Sequence, residues 1–206
     1  TSWTRAPQRK RRPRTLISAS AIGYYGDRGD ELLYEDAEPG DDFLADVVVR
    51  WEDEARAAED HGLRVATVRS GHVLDPRGGL LKELLLPFKL GVGGPIAGGR
   101  QYMSWIHRHD EIGILLWALG NENVSGPVNA TAPNPVTNKD FSKALGNELG
   151  RPAVLPLPGF ALDLVKGSGV GQAARDGQRV FPRKATDNGY EFKQPELAGA
   201  LANLLG

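Results

Sequence analysis

Leu16-Ile17-Ser18-Ala19-Ser20-Ala21-Ile22-Gly23-Tyr24-Tyr25-Gly26 decides the fold. An apolar run ends in two serines and then a Gly/Tyr turn, so hydroxyls and phenols fall where a buried strand meets solvent. Open α/β sheets mount their ligand sites at such strand ends. Working outward, Asp41 or Asp42 is placed to cap a helix in which Phe43, Leu44, Val47, Val48, Trp51 and Ala55 recur at helical spacing. That helix is expected to end near Gly62, and Leu63 to Arg69 follows as a second strand. A strand–helix–strand unit predicts two parallel strands in a covered sheet.

Beyond it, residues 78 to 90 read as an apolar helix interrupted by Pro87, and the glycine-rich stretch 91–100 demands loop or hairpin geometry. Tyr102 to His107 reads as extended. Asp110 then caps a helix carrying Ile112, Ile114, Leu115, Leu116 and Trp117, stopped by Gly120. Residues 127 to 130 form a short strand. Thr137-Asn138-Lys139-Asp140, a capping-box-like opener with Asp for Glu, starts a helix that turns Phe141, Ala144, Leu145 and Leu149 inward. Prolines 152, 156 and 158 mark a minor boundary, and a turn at Asp187-Asn188-Gly189 precedes a last amphipathic helix over 195–205. The expected organisation is a basic arm (1–14), a main α/β unit (15–150) and a small C-terminal unit (151–206).

At 206 residues, 40% apolar and 25% charged, the chain is long enough and apolar enough for a real core, which argues against disorder. It has no cysteine, which excludes disulfides, a thiolate nucleophile and Cys-based metal sites and fits a reducing, cytoplasmic setting. Arg5, Arg9, Lys10, Arg11, Arg12 and Arg14 precede any acid. The rest carries 19 basic against 26 acidic residues and so offers no basic groove for nucleic acid. No apolar run reaches the ~18–20 residues of a membrane span.

Ser20 with Tyr24 or Tyr25 is the first candidate site. A serine at a strand end donates to a substrate oxygen, and a neighbouring phenol passes a proton if its pKa is lowered. The bland alternative is a strand end with tyrosines packing its turn. His107-Arg108-His109-Asp110 invites a metal reading, but no third ligand is evident nearby. The simpler expectation is His107 at a strand end, Asp110 as a cap and no metal. Glu52, Asp53 and Glu54 read as a solvated helix face, and Trp51 and Trp105 as core or wall.

Several stretches in order resemble one family: 16–25, the helix from Phe43-Leu44 to Trp51-Glu52, Arg69-Ser70-Gly71-His72-Val73-Leu74, Leu86-Pro87-Phe88-Lys89-Leu90-Gly91, Ser104-Trp105-Ile106-His107 and Gly150-Arg151-Pro152. They are similar to the SulA-like sugar-nucleotide epimerases, an atypical branch of the extended short-chain dehydrogenase/reductases. The likeness runs from about Arg14 to the C-terminus. Gly177-Gln178-Arg179-Val180 with Gly189-Tyr190 resembles the family's small C-terminal domain of unknown function.

The resemblance implies an α/β fold: the second half of a Rossmann-type parallel sheet with a smaller α+β substrate-binding lobe. It implies NADP(H) or NAD(H) as cofactor in the complete family form and a nucleotide sugar or similar secondary alcohol as substrate. Ser20 takes the place of the active-site serine, with Tyr24 or Tyr25 beside it. Ser18 and Gly71-His72-Val73-Leu74 lie where the cofactor approaches. Arg100, Gln101 and Trp105 fall near the nucleotide-sugar pocket.

Two departures bear on activity. The Tyr-x-x-x-Lys pair of short-chain reductases is absent: positions four after Tyr24, Tyr25, Tyr34, Tyr102 and Tyr190 are Arg28, Gly29, Glu38, Ile106 and Gln194. At the corresponding helix the resemblance puts Leu44 and Val48, or near neighbours, and neither of these transfers protons. The phosphate-binding glycine loop, expected in roughly three preceding βα units, is also missing. Gly91-Val92-Gly93-Gly94-Pro95-Ile96-Ala97 and Gly169-Val170-Gly171-Gln172-Ala173-Ala174 fit G-x-G-x-x-A but lack the strand–turn–helix setting. The chain therefore reads as an epimerase- or reductase-family protein without its dinucleotide-binding half, or as a non-catalytic nucleotide- or partner-binding module. An uncovered sheet edge, prone to self-association, is expected at the first strand.

Overall fold

The computed structural model describes residues 13–155 and 176–206; residues 1–12 of the basic arm, prolines 156 and 158 and the stretch 169–174 lie outside the described residues. Strand β1 (Thr15–Ala21) pairs parallel with β3 (Arg64–Ser70), and β3 pairs parallel with β7 (Gly126–Ala130), giving the order β1-β3-β7. Between β1 and β3 runs α1 (Phe43–Arg56), capped by Asp42, whose carboxylate accepts from the Ala45 amide at 2.9 Å. A 3₁₀ turn (Ala57–His61) extends it to Gly62, whose left-handed φ of 78° lets its N–H return to the Ala58 and Glu59 carbonyls.

The inward row of α1 is Ala45, Val48, Glu52 and Ala55. Sequence spacing pointed instead to Phe43, Leu44 and Trp51, but these stand outside, Phe43 78% and Trp51 57% exposed. The row at intervals of three and four residues is the one that meets the sheet, and it includes an acid. Trp51 is therefore neither core nor wall, and Glu52 is not solvated.

The sheet is covered on both faces. Ala66 and Val68 of β3 join Ile114 and Ala118 of α3 (Arg108–Gly120) in one core, while Arg69 of the opposite face meets α1. The second core gathers β4 (His72–Leu74), α2 (Gly79–Lys89), β5 (Tyr102–Met103), β6 (Trp105–His107), β8 (Val136–Thr137), α4 (Asn138–Glu148) and α6 (Leu197–Leu205) around Trp105, Phe88 and Phe141. Helix α2 continues through Pro87 to Lys89. A third cluster joins the Tyr25 turn to β2 (Leu32–Leu33) and β9 (Arg179–Val180), a parallel pair, with α5 (Arg183–Asp187) following.

Asp110 is not the cap of α3. The cap is His107, whose Nδ1 accepts from the His109 amide at 3.1 Å. Asp110 is fully buried and accepts from the amides of Lys193 and Gln194, both at 2.9 Å, and so fastens the C-terminal segment to the first turn of α3. The expected opener of α4 holds: Thr137 accepts from the Asp140 amide at 3.1 Å, and its hydroxyl donates to the Asp140 carboxylate at 2.6 Å.

Candidate functional site

The carboxyl ends of β1, β3 and β7 carry Ser20, Arg69 and Asn129, and a buried polar network joins them. Arg69 is 2% and Glu52 1% exposed. The guanidinium grips the carboxylate in a two-pronged pair, Nε to Oε1 at 2.7 Å and Nη2 to Oε2 at 2.8 Å. Ser20 donates its hydroxyl to Glu52 Oε1 at 2.6 Å. Arg69 Nη1 donates to the Tyr25 hydroxyl at 3.0 Å, which donates onward to Asn129 Oδ1 at 2.6 Å. The guanidinium also lies 3.4 Å from the Tyr24 ring centroid, a stacked cation–π contact.

Glu35 extends the network to the C-terminal segment. Its Oε1 accepts from the Asn129 amide at 3.2 Å and the Lys184 amide at 3.0 Å, capping the first turn of α5. Burial pushes the Tyr25 phenol up to about 12 despite the opposing Arg69 charge and hydrogen bonds. Burial works against the Arg69 charge, but Glu52 and Tyr25 outweigh it and hold its pKa above the ordinary value. A phenol raised this far, with its proton committed to Asn129, is poorly matched to proton transfer at neutral pH.

The structure brings Ser20, Tyr24 and Tyr25 together, but Ser20 is 6% exposed and Tyr25 fully buried. Tyr24 is half-buried over Arg69. Ser18 is also half-buried. Gly71 is held by close packing: a Cβ there would fall 2.4 Å from the Ser104 carbonyl oxygen. His72 donates its amide to that oxygen at 2.8 Å, and burial holds its imidazole below the usual range. Val73 packs beside the sheet core, and Leu74 lies inside the second core.

Arg100 is exposed, and the Gln101 amide donates to the Ile96 carbonyl at 3.1 Å. Trp105 is fully buried, with its indole N–H donating to the Asn134 carbonyl at 3.2 Å. None of these three joins the strand-end network through a described hydrogen bond.

Glu52, Arg69, Asn129 and Glu35 were not singled out from the sequence as site residues. The available signal was the α1 row, which is apolar at Ala45, Val48 and Ala55 and charged once. Leu44 is half exposed beside Gly23, and Val48 is buried. Ser70, at the end of β3, donates to Glu111 Oε1 at 2.5 Å, and burial raises that carboxyl's pKa despite the bond.

Among the described residues no group of three His, Asp or Glu side chains is gathered to hold a metal, and no helix is long and apolar enough to cross a membrane. Residues 91–97 follow α2, not a strand. A Cβ on Gly93 would strike the Phe88 ring at 2.3 Å, and one on Gly94 the Leu155 carbonyl at 2.1 Å. These glycines make room for the protein's own chain and form no pyrophosphate cradle.

Residues 157–204 match the family model "Domain of unknown function (DUF1731)". The chain is 41% identical over 187 residues to Epimerase family protein Mb2239 of Mycobacterium bovis, covering 91% of this chain and 62% of that protein. It is 39% identical over 203 residues to Epimerase family protein SDR39U1 of Homo sapiens, covering 98% and 68%. The crystal structure of human epimerase family protein SDR39U1 (isoform 2) with NADPH superposes with a TM-score of 0.89 at 39% identity, over 97% of this chain and 66% of that one. The chain thus spans about two thirds of the length of these relatives.

Proposed function

This chain belongs to the epimerase family that includes human SDR39U1, and from that membership we propose that it forms the ligand-facing side of a nicotinamide-dependent epimerase- or reductase-type protein. Its ligand is a nucleotide sugar or a similar secondary alcohol. The observation that carries this reading is the parallel order β1-β3-β7 with Ser20, Arg69 and Asn129 drawn together at its carboxyl end. Ligands of open α/β sheets sit in the crevice outside those ends.

Ser20 and Tyr25 act as positioning residues. They hold Glu52, Arg69 and the 22–25 turn, so that the half-buried Tyr24 ring, Ser70 and the 71–73 backbone form the rim. A nicotinamide cofactor supplies hydride chemistry when bound. The described residues do not fit the whole dinucleotide, because the glycine-rich stretch 91–97 is spent on Phe88 and Leu155.

A second reading, a non-catalytic binding module, draws on a different observation. The Ser20 and Tyr25 hydroxyls are engaged internally, and by the family likeness Leu44 and Val48, or near neighbours, take the place of the proton-transferring pair. Turnover of a nucleotide sugar by the purified chain separates the two.

Among the described residues one edge of β1 has no partner strand, and that edge is proposed to promote self-association. Helices α1 and α3 both pack against β1, and they expose Phe43, Leu44 and Trp51 and Ile112, Leu116 and Leu119 respectively.

The ligand reading is tested by recording amide NMR spectra during a UDP-glucose titration. Saturable shifts at Tyr24, Ser70, Gly71 and His72 are expected. Their absence up to millimolar ligand refutes the site.

A further inference from the structure

On the second core, away from the strand ends, α4 places Lys139, Lys143 and Asn147 at four-residue intervals, so two ammoniums and an amide share one helix face. The turn after α4 returns Arg151 to the same side. These four residues, with Pro95 and Ala153, line a cavity of about 670 Å³.

Both walls are fixed. On one side the 95–101 loop is strapped to the first turn of α4. The Lys139 amide donates to the Gly99 carbonyl at 2.9 Å, the Asn138 amide to the Gln101 carbonyl at 2.8 Å, and the Ile96 amide to Asn138 Oδ1 at 2.7 Å. On the other side the returning chain lies against Gly146, where a Cβ would fall 2.7 Å from Ala153 Cβ and 2.8 Å from the Arg151 carbonyl. The Arg151 amide donates to the Gly146 carbonyl at 2.9 Å. The cavity is therefore preformed.

Three cations, Lys139, Lys143 and Arg151, outnumber one carboxylate in its lining. The acid lining it, Asp140, takes the Thr137 hydroxyl at 2.6 Å, and among the described residues Lys139, Lys143 and Arg151 form no ion pair. Like charges around one concavity oppose each other until an anion enters.

We infer that this cavity binds a small polyanion of the phosphate class. Arg151 offers a planar fork to two oxygens, the lysines act as point charges, and the Asn147 amide is a neutral donor. Pro95 and Ala153 complete its lining. None of these residues belongs to the strand-end network, so the two sites fail or succeed separately.

The test is an NMR titration of the full chain with inorganic pyrophosphate at low salt, comparing wild type with Lys143→Ala/Arg151→Ala. Both substituted side chains are exposed, and unchanged melting checks the fold. Saturable shifts at Lys139, Lys143, Asn147 and Arg151, with affinity lost at least about tenfold in the double variant, are expected. Absent saturation, shifts confined elsewhere, or equal affinity in both proteins overturns the site.

Discussion

Replacing Glu52 with leucine should unfold much of what holds the three strand ends together. The carboxylate is 1% exposed, accepts two bonds from Arg69 and one from Ser20, and stands on the buried row of α1. Leucine leaves the Arg69 guanidinium buried without its counter-charge. Breaking one side of a buried pair costs about 3–5 kcal/mol. For a domain of this size each kcal/mol is worth about 2–4 °C, so the melting temperature should fall by roughly 6–20 °C. Urea unfolding followed by circular dichroism reads the change as a shifted midpoint at constant slope. The double variant Glu52→Leu/Arg69→Met removes both charges and should recover most of the loss, because an apolar pair often matches a buried ion pair in stability. A single-variant cost below about 1 kcal/mol, or a double variant as unstable as the two single losses added, refutes the reasoning.

Tyr25, raised to about 12 from 10.0 by burial, stays protonated in the folded state where the unfolded chain has ionised. Stability contributed by Tyr25 is therefore intact below pH 10 and falls as pH rises towards 12, by about 2–3 kcal/mol at ~1.4 kcal/mol per unit; pH-resolved urea unfolding should show this loss, and Tyr25→Phe should reduce it to the part due to Tyr190, whose phenol burial and Asp110 also raise. Glu111, whose carboxyl burial raises despite its Ser70 bond, costs stability above the carboxylate range, so Glu111→Gln should stabilise the protein at pH 7. The gain should vanish on acidification, and the same titration of stability checks it. If the proposed self-association holds, Phe43→Ser/Trp51→Ser touches two exposed side chains of α1, which packs against the edge strand β1, and should leave melting unchanged while lowering the apparent mass in light scattering.

The strand–helix–strand unit was legible because the apolar runs of the strands and helical spacing in α1 are local signals, as were the Asp42 and Thr137 caps. Glu52 was not. It begins the acidic run Glu52-Asp53-Glu54, and what makes its burial tolerable is Arg69, contributed by a different strand. Local pattern cannot register a counter-charge that only the fold brings near. Asp110 misled for the same reason: it sits where caps sit, yet its partners are the amides of Lys193 and Gln194, more than eighty residues later. Trp51 shows the converse, since aromatic character does not fix which face of a helix turns inward. At the site, Ser20, Tyr24 and Tyr25 were legible as neighbours, while the direction of their hydrogen bonds, inward to Glu52 and Asn129, depended on residues from α1 and β7.

We propose that this chain supplies the ligand-facing side of an epimerase-family site without gripping a dinucleotide's phosphates. Titrating the purified chain with NADPH and following cofactor fluorescence tests it most directly. No saturable binding in the micromolar range is expected; saturation there would contradict the account.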